Sequence, residues 1–498
     1  MTDDYPFRAQ RARWRTERRT TAWGLVLAGV VTLAGVGLPG TAGSAAAGVA
    51  PVIAWTACAE DATAQCGTLS VPVDWARPTG VRFDLALARR TATDPAARIG
   101  SLVFGPGGPG DSGVNRVVTG IGRFSDELRS RFDIVSFDPR GVGRSNPVVC
   151  SAELLASRPS EVLASQADFD ATLAYNRRLR DDCRARTGPV FDHADTLSTV
   201  KDLDAIRSAL GEAKLTFHGS SYGTLLGEQY AEVFPDRVRA LVLESVVDHS
   251  VGTRAFLDTQ AAAVQDSFDE FVAWCGRTPD CALHGRDVRA VWADLLARAE
   301  RGDLRNPTDP TATVTPFDLV VTAFRGFYGP GWPDLARKVA AMSAGGPPEV
   351  SAIPPLVTAV FCADWSLPVR NYREYADHLR RMATIAPDMR YPVAVYAIAS
   401  CLGSPTPINN PQHRLQVRDT PPILLVNTLH DPASGYNWAT NVVRQLGDEG
   451  VLLTYEGWGH GAYNRTPCMS DAVDRYLVSL TLPAPGATCP AVEPVPGS

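Results

Sequence analysis

The stretch LTFHGSSYGTLLGEQYAEVF, residues 215–234, decides the fold. Its opening, LTFH, is apolar or β-prone and reads as a strand. Its second half, Thr224–Phe234, has helical character and stops at Pro235, a residue that helix interiors reject. Between them stands Gly219-Ser220-Ser221-Tyr222-Gly223, a G-x-S-x-G pentad centred on Ser221. A sharp strand-to-helix turn lifts the central hydroxyl clear of a sheet, and bulk on either side of it would clash. The turn also aims the backbone N–H of Tyr222 at a developing negative charge. Ser220 is the neighbour of the centre, not the centre.

Similar short runs lie outward from this point: SLVFG (101–105), FDIVSFD (132–138) and VRALVLES (238–245). Each is too short for a helix, and most are rich in β-branched or aromatic residues. Val200, Leu203, Ile206 and Leu210 share one face of a helix between two of them. Strands alternating with helices predict a mainly parallel sheet covered on both faces. Gly67–Trp75 and Arg82–Ala88 read as two earlier strands joined by a Pro-Thr-Gly turn.

The alternation stops near residue 248. The segments FLDTQAAAVQDSFDEFVAWC, DVRAVWADLLARAE, DLARKVAAMSA and YREYADHLRRMATI read as helices, and strands resume with PILLVNT (422–428) and GVLLTYEG (450–457). A structureless loop of about 165 residues is implausible, so the insertion must fold as its own layer. The expected class is α/β: the α/β-hydrolase fold, with a mostly parallel central sheet and a helical cap inserted before the last strands. The expected parts are an export signal or N-terminal anchor (1–48), the first part of the core (49–249), the cap (250–415) and a C-terminal part of the core carrying acid and base (416–498). The Pro-rich tail, PAPGATCPAVEPVPGS, is expected to be extended and held only at Cys489.

A serine hydroxyl needs a base, and the base needs an orienting carboxylate. In this fold they follow the serine in the order acid, then histidine. His249, His284, His378, His413, His430 and His460 follow Ser221. His460 lies just beyond the last strand, in Gly457-Trp458-Gly459-His460-Gly461, where glycines suit a tight loop. Asp431 ends the run PILLVNTLHD, where the acid belongs. The expected catalytic residues are Ser221, Asp431 and His460. Gly105-Pro106-Gly107-Gly108-Pro109-Gly110 follows an early strand and supplies a second oxyanion donor. Pro109 has no N–H, so the oxyanion hole is assigned to Tyr222 with Gly108, or with Gly107 in its place.

Net charge is −6, which gives no basic field for nucleic acid. The first 48 residues pass from an arginine-rich start through the apolar run AWGLVLAGVVTLAGVGL to small residues around Ala45-Ala46-Ala47. That order is an export signal, with a retained anchor as its rival. Secretion or display at the cell surface follows, and there cysteines form disulfides. Order along the chain suggests the neighbouring pairs Cys58–Cys66, Cys150–Cys183, Cys275–Cys281, Cys362–Cys401 and Cys468–Cys489, although sequence does not fix connectivity. There is no C-x-x-C and no histidine pair at ligand spacing, so neither a metal nor any other cofactor is expected.

Together GPGGPGDSG (105–113), FDPRGVGRS (137–145), GSSYGT (219–224), the Asp431 loop, GHG (459–461), the cysteines and Phe361-Cys362-Ala363-Asp364-Trp365 resemble the secreted tripeptidyl aminopeptidases, relatives of prolyl aminopeptidase. The resemblance covers nearly the whole chain after the signal. It implies a capped hydrolase core, the same triad, a peptide substrate, and release of short peptides from a free N-terminus. Two departures stand out. Pro432-Ala433-Ser434-Gly435 follows Asp431 where Thr-Pro is usual, and Asp111 replaces a commoner glycine. An aminopeptidase must hold an ammonium group, and Glu244, Asp248 and Asp364 are the carboxylates expected near the cleft. Arg140 and Arg144 are expected to brace loops. A carboxylesterase or lipase-like enzyme with the same triad is the rival reading, and a silent surface binding protein the third.

Overall fold

The structure is a computed structural model that describes residues 52–305, 313–351 and 357–494. The expected export segment lies outside the described residues. Among the described residues no helix is long and apolar enough to cross a membrane.

Among the described residues ten strands form one sheet: β1 (Thr56–Ala57), β2 (Gln65–Pro72), β3 (Arg82–Arg90), β4 (Gly100–Gly105), β5 (Phe132–Phe137), β6 (Leu215–Ser220), β7 (Val238–Glu244), β8 (Ile423–His430), β9 (Gly450–Trp458) and β10 (Thr488–Cys489). Their spatial order is β1-β2-β3-β5-β4-β6-β7-β8-β9-β10. The first three join antiparallel, β3 meets β5 antiparallel, and every pairing from β5 to β10 is parallel. The parallel strands are buried on both faces. Along β4, Leu102 and Phe104 enter one core and Val103 the other. That is why these strands read as continuous apolar runs.

Between β7 and β8 the chain makes an excursion of seven helices among the described residues, from Thr253–Arg277 to Ala394–Cys401. They enclose an apolar core of their own, which also takes in Tyr222, Leu225, Val247 and Trp438. The cap is therefore packed directly onto the elbow region.

Several helices escape the periodicity reading, among them three in or against the cap. Gln166–Thr187 is polar along most of its length, with few buried side chains. Ala394–Cys401 is buried nearly all round, so no polar face marks it, whereas Pro316–Tyr328 buries Phe317, Val320, Val321, Phe324 and Phe327 and leaves Arg325 exposed. The tail also differs from expectation. Thr488–Cys489 adds to β9 in parallel as β10, and beyond it Val492 N–H donates to Tyr455 Oη (3.1 Å) and Glu493 pairs with Arg277.

The ten cysteines form five disulfides between sequence neighbours. Cys150–Cys183 clamps the loop after β5 to the helix Gln166–Thr187, and Cys362–Cys401 joins two cap helices. Arg140 is fully buried. Its guanidinium grips Asp202 with two bonds (2.7 and 2.6 Å) and donates to the carbonyls of Val73 (2.8 Å) and His193 (2.9 Å). It therefore ties the turn after β5 to β2 and to the helix Thr196–Ala209. Removing one partner of such a pair strands the other charge. Arg140→Ala is expected to lower unfolding free energy by about 3–5 kcal/mol, read from denaturant titration.

Candidate active site

Ser221 stands one residue beyond β6 with φ of 55°, a left-handed conformation that stores strain in a serine. The surrounding glycines are required by space. A Cβ on Gly219 would lie 2.3 Å from the Gly223 carbonyl oxygen, and one on Gly223 would lie 2.3 Å from that of Gly105. The elbow thus sits directly on the end of β4, where the oxyanion loop begins. Among the described residues the N–H groups of Tyr222 and Gly108 have no backbone acceptor, and both residues line the cavity beside Ser221. Asp138 holds the far end of that loop by accepting from Ser112 Oγ (2.6 Å) and Val114 N–H (3.0 Å). The motifs around residues 105–113 and 137–145 are therefore one structural unit.

Asp431 follows β8. Its Oδ1 accepts from the N–H groups of Ala433 and Ser434 (both 2.9 Å) and lies 3.0 Å from His460 Nδ1. Its Oδ2 accepts from Ser245 Oγ (2.8 Å). An ionised carboxylate only accepts, so the neutral ring of His460 carries its proton on Nδ1 and leaves the Nε2 lone pair free. His460 lies between Gly459 (φ 99°) and Gly461 (φ 91°), a backbone that only glycine adopts without strain. Its N–H donates to the Tyr328 carbonyl (2.7 Å), and its ring packs on that tyrosine, centroids 4.7 Å apart. Arg465 braces the same loop through the carbonyls of Gly461, His460 and Tyr328. Among the described residues Ser221 Oγ makes no hydrogen bond. Such contacts tighten when substrate binds.

Four of the five other candidate histidines are engaged elsewhere, and His378 lies on the cap helix Tyr372–Ile385. His249 meets the Asp364 carbonyl (2.7 Å), His284 that of Cys275 (2.9 Å), His413 the Glu232 carboxylate (2.8 Å) and His430 that of Asp266 (2.8 Å).

The expected ammonium receptors need correction. Glu244 is wholly buried beneath the triad. Its Oε1 accepts from Ala462 and Tyr463 N–H (both 2.9 Å), and its Oε2 from Arg123 and His218 Nε2 (3.0 Å). Burial alone would raise its pKa. Arg123, His218 and the Tyr463 N–H more than reverse this and hold the carboxyl below its ordinary range. Asp364 is also fully buried. It accepts from Thr196 N–H (2.8 Å) and Oγ1 (2.6 Å), Tyr222 Oη (2.6 Å) and Asn410 Nδ2 (2.9 Å). Asp248 is taken up by Ser250, Asn441 and Gln445. None of the three lines the cavity at Ser221. Each was legible as a carboxylate near a strand end or in the cap, but burial and partners come from pairings distant in sequence.

Ser245, Arg123, Tyr328 and Arg465 were not anticipated. Ser245, Arg123 and Tyr328 act on loops far from them along the chain, and Arg465, which lies four residues beyond Gly461, carries no motif of its own.

An elbow serine, a histidine bonded through Nδ1 to a buried carboxylate, and a glycine-rich loop seated on the elbow are the features of a serine hydrolase of the α/β-hydrolase class. Residues 100–347 match the α/β hydrolase fold family, and residues 391–489 match the family described as TAP-like protein. The chain is 31% identical to serine protease Hip1 of Mycobacterium tuberculosis, over 93% of this chain and 95% of that protein. It is 31% identical to tripeptidyl aminopeptidase of Streptomyces lividans (92% and 90%) and 30% identical to carboxylesterase B of Mycobacterium tuberculosis (96% and 99%). The chain belongs to this TAP-like family of serine hydrolases.

Two outcomes are expected. Ser245→Ala removes the donor to Asp431 and the acceptor of Gly461 N–H (2.8 Å), and is expected to lower kcat about 10- to 100-fold in steady-state assays. The second concerns pH. Burial raises the Asp364 carboxyl to about 7, the charge of Asp195 adds to this, and bonds from Thr196 and Tyr222 oppose it. The folded protein then keeps a proton that the unfolded chain releases near pH 4. That contribution to stability is complete below pH 4 and is lost as pH rises towards 7. Asp364→Asn is expected to flatten the slope of unfolding free energy against pH in this window.

Proposed function

We propose that this protein is an exported serine peptidase that removes short peptides, tripeptides foremost, from free N-termini. The observation that carries the reading is the Asp431 carboxylate held by four donors with His460 Nδ1 among them, beside an elbow serine. Hip1 and the Streptomyces tripeptidyl aminopeptidase, similar over most of their length, support peptide bonds as the target. Five disulfides support a life outside the cytoplasm.

In this mechanism His460 Nε2 takes the proton of Ser221 as Oγ attacks the substrate carbonyl. Asp431 stabilises the imidazolium and fixes its tautomer. N–H groups of Tyr222 and Gly108 receive the oxyanion, one such donor being worth about 3 kcal/mol. His460 passes the proton to the leaving amine, and water repeats the sequence to free the acyl product.

Esterase action is the second reading. Its support is the cavity beside Ser221, whose described walls carry no carboxylate to receive an ammonium. It also has carboxylesterase B among similar proteins. The test compares a tripeptide anilide with a free N-terminus, its N-acetylated twin and a short nitrophenyl ester. The free peptide is expected to be turned over fastest, and Ser221→Ala to abolish all turnover. Preference for the ester moves the assignment to the second reading.

A further inference from the structure

The cavity beside Ser221 runs beneath the cap from Gly108 and Pro109 to the ring of Trp438. Among the described residues no Asp, Glu, Lys, Arg or His lines it. Its wall is a box of rings. Phe256 lies 5.0 Å from Trp365 and 5.8 Å from Trp438, and Phe361 lies 5.8 Å from Trp365 and 6.4 Å from Tyr222. The polar ends of two of these rings are committed outside the box, Tyr222 Oη to Asp364 and Trp438 Nε1 to Thr259 Oγ1 (2.8 Å). The amide of Gln260, which also lines the wall, donates to the Ala433 carbonyl (2.6 Å).

The position of the cavity fixes which half of a substrate enters it. The leaving group must rest against His460, from which it takes its proton. His460 does not line the cavity, whereas Gly108, Tyr222 and Ser221 do. Tyr328, packed on the His460 ring, bounds the cavity on that side, and Gly108 and Tyr222, whose N–H groups would receive the oxyanion, open it to the acyl half of a substrate.

We propose that this box is the specificity pocket for the acyl group, and that it selects a large apolar side chain adjacent to the scissile carbonyl, of the size of Phe, Leu or Met. The proposal rests on Ser221 being the nucleophile but not on whether the bond is an amide or an ester. An apolar side chain gains in proportion to the area it hides from water, and the rings offer that area already assembled. A charged side chain or an N-terminal ammonium would lose its hydration and meet ring faces and a few neutral polar groups but no opposite charge among the described residues, which repays a small part of it. A free N-terminus is thus held farther out than this cavity, which is the arrangement a released peptide of several residues requires.

The test varies one side chain, Ala, Leu, Phe, Lys or Asp, next to the scissile carbonyl in three parallel series: free tripeptide anilides, N-acetylated tripeptide anilides and nitrophenyl esters. Which series is turned over reports on the peptidase reading. The order within that series reports on the pocket. The expected result is kcat/KM about 10- to 100-fold higher for Phe or Leu than for Ala, with Lys and Asp below Ala. The same order is read without turnover from the rate at which nitrophenyl phosphonates bearing a benzyl or a methyl group inactivate Ser221, with benzyl faster. Ala397→Leu, which narrows the box from the cap side, is expected to lower the Phe-to-Ala ratio at least about 10-fold. A wild-type order with Lys at or above Phe, or methyl phosphonate at or above benzyl, overturns the proposal.

Discussion

Two consecutive residues at the end of β7 hold the whole site in register. The Glu244 carbonyl accepts the Ser221 N–H (2.7 Å), which pins the elbow. The Glu244 side chain receives the two N–H groups that follow the GHG turn, and Ser245 Oγ receives the third while donating to Asp431. Nucleophile, acid and the histidine loop therefore share one anchor, although they come from three strand ends. Parallel pairing makes this possible, because β6, β7, β8 and β9 are adjacent and end on the same side. Ser245, like Ser221, has positive φ (56°), so the anchor is itself bent into shape.

A buried carboxylate in that position needs compensation, and the structure supplies it. Arg123 reaches in from the loop that follows the first short helix, and His218 comes from β6. Burial keeps the His218 pKa low despite the pull of Glu244, so the imidazole acts as a neutral donor. Beneath Asp431 there is thus a second, compensated negative charge. Arg140 with Asp202 repeats the pattern farther from the site, with a buried charge made tolerable by a planar, multiply bonded partner.

Features that rest on local chemistry were legible in the sequence. The elbow pentad, the glycines around His460 and the alternating strands announce themselves because the spatial need lies within a few residues. The helix Ala394–Cys401 did not, since burial on every side erases its periodicity. The carboxylates show the same divide. Asp431 follows a strand by one residue and was found by position. Glu244 ends a strand too, but its partners Arg123 and Tyr463 are 121 and 219 residues away, and nothing local separates an acid facing a cleft from one sealed beneath it. The tail erred for a related reason, as proline-rich sequence gives no sign that two residues near its end will extend a sheet.

The cap separates the two halves of the site along the chain as well as covering them. Ser245 and the carboxylate it supports are 186 residues apart. A ribosome needs about 10–40 s to make that length. For that interval the growing chain carries the elbow sequence without Asp431 or His460. The elbow and the Asp431–His460 pair therefore meet only once the last two long strands, on the far side of the cap, have joined the sheet.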